Sequence, residues 1–470
     1  MDATRRSVLL ASVGSAAVQT AAPALAEGIP SALREQARCD EPARTAAADD
    51  FGHIVHERPS FIVQPRSSGD VAAAIRWASA KGLHLAAQGQ RHSVYGRAMA
   101  RDGIVVVMSG LRTIQDLQAD RIVVDAGATW REVLAATLPY GLAPPVVTEY
   151  LDLSVGGTLV GGVGSGTQRH GLQSDNVLAM DVVTGAGHEI TCSAQSHAEL
   201  FDMVRAGLGQ VAVITRATLK LVPAPQQVRR HLLFYPDLRS MQRDQRLLAA
   251  GHRFDVVTGA ILAAPAGGWI FRLDAAEYLM GTAALDEAVL AGLSDDQSRR
   301  KASTLSYFEY LNRLSELETL LRDNGQWFLP HPWLMTFIGD TQVEAVVGDT
   351  LTRLSPADLG PLGQISLSAI SRRSITSPLV RLPADDLCYA FNLVRIPATD
   401  HAKEITRLIE DNRARYGQVC ESGGTLYPVS ALPMDHEDWR RHFGSAFGRL
   451  SDAKRRFDPT NVLTPGYPIF

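Results

Sequence analysis

At 470 residues the chain exceeds the usual size of one hydrophobic core, so two lobes of roughly 200 residues each are expected. Apolar residues make up 46% and charged residues 20%, with a formal net charge of -4. This balance argues against a disordered chain and against a polyanion such as nucleic acid as the main partner.

In chain order, Arg5 and Arg6 precede an apolar, alanine-rich run from Val8 to Leu25, and Ala24-Leu25-Ala26 has small residues where a signal peptidase cuts. Residues 1–26 read as a signal peptide and not as a membrane helix, because the run is short and broken by Gln19 and Pro23. Paired arginines before Ser7-Val8-Leu9-Leu10 predict the twin-arginine route, which exports folded, cofactor-loaded proteins, so the expected location is periplasmic or secreted. No later segment holds about 18 uninterrupted apolar residues, so no membrane span is expected in the mature chain. Cys39, Cys192, Cys388 and Cys420 lie far apart, with no CxxC pair and no nearby histidine spacing, so no metal is expected and disulfide pairing stays open.

From about Phe51 to Pro225, short β-branched runs alternate with amphipathic helices. Phe61 to Gln64, Ile104 to Met108, Ile122 to Asp125 and Val211 to Thr215 read as strands. Val71, Ala74, Ile75 and Ala78 recur at helical spacing behind the capping candidates Ser67 and Ser68. A second helix carries Trp130, Val133, Leu134, Thr137 and Leu138 on one face before Gly141 and Pro144-Pro145 stop it. Pro223-Ala224-Pro225 marks a lobe boundary, since two prolines flanking one residue favour an extended connector. Beyond it, one helix is predicted with Tyr307, Tyr310, Leu311, Leu314, Leu317 and Leu321 along one side, followed by Pro330-His331-Pro332-Trp333-Leu334 entering a strand. A further helix carries Ala402, Ile405, Leu408 and Ile409 and is expected to end near Gly417.

Two constellations carry chemistry. In Ala86 to Ala100, a strand runs into Gly89-Gln90-Arg91-His92-Ser93 and then Gly96, where backbone amides approach an anion closely and Ser93 offers a further donor. On its own a histidine in such a loop is more often structural. In Leu153 to Val177, seven glycines between Gly156 and Gly171 are too dense for a helix or an ordinary strand. Val155, Leu159 and Val163 within them predict burial around a bulky cofactor, and Gly156-Gly157 and Gly161-Gly162 do not open a helical pattern, which disfavours Rossmann binding.

On these residues the chain resembles FAD-linked oxidoreductases of the vanillyl-alcohol-oxidase and p-cresol-methylhydroxylase (PCMH) type, and among them cytokinin dehydrogenases. The resemblance runs through GQRHSVYGRAMA, LPYGLAPPVVTEYLDLSVGGTL, RHGLQSDNVLAMDVVTG, ELFDMVRAGLGQVAVITRATLKLVPAP, LPHPWL and RRFDPTNVLTPGYPIF, in that order. It implies an α+β, two-lobed PCMH-type fold. Residues 27–225 form an FAD-binding lobe, 226–423 an inserted substrate lobe, and 424–470 a return to the first lobe. It further implies FAD bound covalently through His92, with Gly89, Arg91, Ser93 and Arg97 in the phosphate loop and Ser154, Gly157, Ile214, Tyr427 and Tyr467 around the cofactor.

Three departures stand out. Relatives usually carry glycine at the position of Arg91 and glutamine at that of Arg97. Glu149 occupies the place of the family's aspartate, the proton acceptor beside the flavin. The family's substrate-facing asparagine has no match in Ser366 to Ser374, which offers only serine and arginine as polar groups. The resemblance implies oxidation of the C–N bond in the side chain of N6-isoprenoid adenines, with a small-molecule substrate and a quinone or dioxygen as electron acceptor. Two alternatives stay open: an oxidase of the same fold acting on another amine, an alcohol or a sugar, and an exported flavin carrier without turnover.

Overall fold

The computed structural model describes residues 28–164, 169–251, 253–281 and 287–470. The signal-peptide reading of residues 1–26 lies outside these, as do residues 165–168 of the glycine-rich segment. Among the described residues no helix is long and apolar enough to cross a membrane, and all four cysteines are free.

The protein folds as two lobes of mixed helix and sheet. In the first, β1 (Ala37–Arg38), β2 (Phe61–Val63), β3 (Leu85–Gln88) and β4 (Ile104–Val107) form a sheet in the order β1-β2-β4-β3, parallel except for β1. The helix Ser68–Lys81 links β2 to β3. Ser67 and Asp70 close a capping box at its start, and Gly82 ends it in the left-handed conformation. A second sheet is antiparallel: β5 (Ile114–Gln115), β6 (Arg121–Asp125), β8 (Val177–Thr184), β9 (Glu189–Ser193) and β10 (Ala212–Lys220), in the order β5-β6-β10-β8-β9. β7 (Leu142–Ala143) pairs with β11 (Val222–Pro223), so the Pro223-Ala224-Pro225 connector leaves the first lobe as a clipped extended strand.

The second lobe is built on one antiparallel sheet of eight strands: β12 (Gln227–Tyr235), β13 (Val256–Ala263), β14 (Trp269–Leu279), β15 (Lys301–Ser306), β16 (Leu334–Gly339), β17 (Gln364–Ser371), β18 (Leu387–Val394) and β19 (Thr425–Leu426). Their order is β15-β12-β14-β13-β17-β18-β16-β19. Alternate residues sort the two faces. Val257, Ile261, Leu273 and Leu367 join Met241 and Leu248 of the helix Leu238–Gly251 in the main core, while Phe337, Ile370, Ala390 and Tyr427 form a separate cluster on the opposite face. That face turns toward the first lobe, where the Asp175 carboxylate accepts from the Ser377 backbone N–H at 2.7 Å and the Thr376 N–H at 2.9 Å.

Four sequence expectations change. The helix predicted through Tyr307 to Leu321 is two, Tyr307–Leu311 and Ser315–Asp323, because the Asn312 N–H closes on Phe308 and the Asn312 amide donates to Ser315 Oγ. The helix Ala402–Glu421 runs through Gly417, its buried face of Tyr416 and Val419 outweighing the roughly 1 kcal/mol cost of a glycine. Val155–Gly161 is helical despite its glycines. A Cβ on Gly156 would stand 2.8 Å from the Ala126 Cβ, so close packing decides against propensity. Lastly, β19 still pairs with β16, so the backbone re-enters the first lobe only after Leu426. There Val462 to Thr464 lie along the outer edge of β3, with Leu85 N–H to Val462 O at 2.8 Å and Thr464 N–H to Leu85 O at 2.8 Å.

Candidate active site

β3 ends at Gln88, and the backbone turns through Gly89 to Ser93 into a cleft against the helix Val155–Gly161. Glycine at 89 lets the backbone approach that helix closely: a Cβ there would fall 2.1 Å from the Oγ of Ser154, at the helix N-cap position, and would force that hydroxyl aside. Gly89, Arg91, His92, Ser93, Arg97, Ser154, Gly157, Ile214 and Tyr467 all line the cleft, whose empty space, mouth included, is about 1160 Å³. Tyr427 is not among the lining residues. Its ring packs on Phe337, centroids 5.0 Å apart, in the sheet cluster of the second lobe.

The loop is not a simple phosphate cradle. Arg91 takes the left-handed φ of 56°, and its guanidinium turns outward onto the Ala46 carbonyl, away from the role of assisting a pyrophosphate. The Ser93 hydroxyl donates to the buried Asp50 carboxylate at 2.7 Å. Asp50 also accepts from the N–H groups of Gly96 (2.8 Å) and Gly52 (3.0 Å), and burial pushes its pKa up to about 6. Arg97 fits an anion better. It is 6% exposed and donates to the carbonyls of Gly466 (3.0 Å) and Leu432 (2.7 Å). Its Nε is buried without a partner, and the buried Asp50 carboxylate favours its charge without forming an ion pair with it. The rings of Tyr467 and Tyr95 flank it at 4.8 and 5.2 Å. A buried cation whose hydrogen bonds go to carbonyls is costly, and a diphosphate in the cleft would offset that cost.

His92 is sandwiched between Phe51 (centroids 4.1 Å) and Tyr150 (4.7 Å), with Trp327 and Trp333 at 6.0 and 6.1 Å. Burial, helped by His331 and Arg322, pushes its pKa down to about 3, so the imidazole is neutral with a lone pair available. The cleft therefore suits FAD by its own chemistry: a glycine that admits close backbone approach, a buried guanidinium whose Nε has no partner, and a neutral imidazole in an aromatic setting.

Glu149 stands beside this cleft and not among its lining residues. Its neighbour Tyr150 covers His92 and donates its phenol to Glu318 Oε1 at 3.1 Å. Its own carboxylate accepts from Arg313 Nη2 at 2.6 Å. Arg313 belongs to the break between the helices Tyr307–Leu311 and Ser315–Asp323, and a continuous helix gave no reason to look for it there. Asp50, Phe51, Tyr150, Glu318 and Trp327 were likewise not singled out. They sit in loops or short turns or, for Glu318, at a polar position within the helix Ser315–Asp323, where no apolar periodicity marks them, although LPHPWL pointed at His331 and Trp333.

Comparison with known proteins agrees with this geometry. Residues 59–193 match a family described as FAD binding domain, and residues 268–470 match one described as cytokinin dehydrogenase 1, FAD and cytokinin binding. The chain is 39% identical over 430 residues to an uncharacterised oxidoreductase of the fasciation locus of Rhodococcoides fascians, covering 91% of this chain and 97% of that one. It is 34% identical to cytokinin dehydrogenase 10 of Oryza sativa subsp. japonica, covering 92% and 88%. Among solved structures it resembles 6-hydroxy-D-nicotine oxidase of Arthrobacter nicotinovorans with a TM-score of 0.71 at 20% identity, over 91% of this chain and 95% of that one, which shows a shared fold.

Proposed function

Since the chain belongs to the cytokinin dehydrogenase family of FAD-dependent oxidoreductases, we propose that it is an exported dehydrogenase that oxidises the C–N bond in the side chain of N6-isoprenoid adenines, with FAD linked covalently to His92. Bound FAD supplies the hydride acceptor at its N5 position. The protein holds it, with Gly89 and Arg97 at the pyrophosphate and Ser154, Gly157, Ile214 and Tyr467 along the walls. Glu149 accepts the proton of the substrate's side-chain amine as hydride leaves the adjacent carbon, and water hydrolyses the resulting imine. Arg313 keeps the Glu149 carboxylate oriented, and a quinone or dioxygen would serve as the final electron acceptor.

The observation that carries this reading is the adjacency of Glu149 to Tyr150, whose ring covers His92: a carboxylate stands one residue from the ring that packs on the cofactor-linking histidine. Storage of flavin alone requires neither a base nor a nucleophilic imidazole. Anaerobic mixing with a panel of N6-isoprenoid adenines, other amines, alcohols and sugars tests it, with flavin bleaching as the readout. Bleaching by the isoprenoid adenines is expected. Bleaching by another class alone turns the reading to a same-fold oxidase, and none at all turns it to a flavin carrier.

A further inference from the structure

Asp50-Phe51-Gly52 precedes β2 and carries no step of the proposed reaction, yet it is tied to both lobes. Phe51 N–H donates to Arg91 O at 2.7 Å and Gly52 N–H to Ser93 O at 3.1 Å, while the Asp50 carboxylate holds Ser93 Oγ and Gly96 N–H. From the second lobe, His331 N–H donates to Gly52 O at 2.9 Å, and His331 Nδ1 bonds to Phe51 O at 2.8 Å. Gly52 admits no side chain, because a Cβ there would fall 2.2 Å from Val94 O. The rings make one column: His331 on Phe51 at 4.0 Å and 19°, Phe51 on His92 at 4.1 Å and 21°, and His92 on Tyr150 at 4.7 Å and 27°. No hydrogen bond to a His92 nitrogen is found among the described residues, and the imidazole packs between the ring faces of Phe51 and Tyr150.

We propose that Asp50-Phe51-Gly52 is a positioning clasp which, closed by His331 of the second lobe, holds His92 in the orientation from which it bonds to the flavin, so that attachment requires the two lobes to be docked. The inference rests on the reading of His92 as the covalent link. The new bond joins an imidazole nitrogen to the flavin 8α carbon and removes one N–H and one C–H hydrogen. Two protons leave to solvent, and two electrons pass through the flavin to the enzyme's own oxidant, dioxygen or a quinone. The clasp exchanges no proton; it fixes a ring plane.

The test uses the full-length protein produced under riboflavin limitation and given FAD. Attachment is followed as flavin fluorescence retained in a denaturing gel, and reversible binding as flavin co-eluting on gel filtration. Phe51→Leu is expected to bind FAD reversibly but attach it roughly ten-fold or more slowly, the scale of a lost orientation. Phe51→Tyr, which keeps the ring, restores the wild-type rate. His331→Ala, acting from the other lobe, slows attachment too and answers the question if Phe51→Leu does not fold. Wild-type attachment rates in Phe51→Leu, or in His331→Ala where Phe51→Leu does not fold, overturn the clasp. Loss of all fluorescence from the wild type in the gel, or its retention in His92→Ala, overturns the His92 reading beneath it.

Discussion

Replacing Glu149 with glutamine keeps the side chain's length and its acceptor for Arg313 but removes its ability to take a proton. Glu149 is 42% exposed but its partner Arg313 only 16%, so the change costs some stability, read from a melting curve run beside the kinetics, while the amide oxygen still accepts from Arg313. Loss of a positioned proton acceptor, by contrast, slows the chemical step by roughly 100-fold or more. The expected outcome is a folded, yellow variant whose anaerobic flavin reduction, followed by stopped flow at saturating substrate, falls by that factor. Arg313 supplies the control. If Glu149 only neutralises the guanidinium that approaches it at 2.6 Å, then Glu149→Gln combined with Arg313→Met recovers the wild-type rate. If Glu149 is the base, the double variant stays as slow as the single one. Glu149→Asp withdraws the carboxylate by about 1 Å, a misplacement large enough to slow reduction as well. Reduction by Glu149→Gln within a few-fold of wild type, or recovery in the double variant, refutes the catalytic role.

Other expected outcomes follow the same logic. His92→Ala should leave all the flavin in the supernatant after acid precipitation, while wild-type protein pellets yellow. In that His92→Ala background Arg97→Met should weaken reversible FAD binding by roughly 10- to 100-fold, the worth of a charge-assisted hydrogen bond, and unchanged calorimetric affinity would remove Arg97 from the site. His442 is 7% exposed, both its ring nitrogens lack partners, and burial pushes its pKa down to about 3. A depressed histidine stabilises above its unfolded pKa of about 6.5, and that contribution is lost as pH falls toward the folded value. His442→Phe should therefore gain about 2 kcal/mol relative to wild type between pH 7 and pH 5, measured by urea unfolding at both. Lysine at positions 5 and 6 in place of both arginines should trap the protein in the cytoplasm on fractionation, and export of the double variant would rule out the twin-arginine route.

Local chemistry was legible where a single segment contains its own explanation. The helix Ser68–Lys81 could be read from apolar spacing and the Ser67 cap, and β2, β4 and β6 from apolar runs, because helix period, capping and strand alternation are short-range. The loop bearing His92 was found the same way, by glycines around a histidine. Local rules failed where packing outweighed propensity by more than the roughly 1 kcal/mol that a glycine costs. Val155–Gly161 is helical because its small residues fit against Ala126, and Gly417 stays inside a helix held by its buried face.

By itself, then, the sequence marked the cofactor loop through glycines around a histidine, while the two lobes followed from chain length and family resemblance, and the roles read for His92 and Glu149 from that resemblance alone. Only the tertiary structure decided what those groups touch. Asp50 and Ser93 are 43 positions apart, Glu149 and Arg313 are 164, and Phe51 and His331 are 280. Contacts at such separations depend on how the eight-stranded sheet seats over the first lobe. No periodicity records that arrangement, because the residues involved lie in loops and at helix breaks whose positions are set by the packing of everything around them.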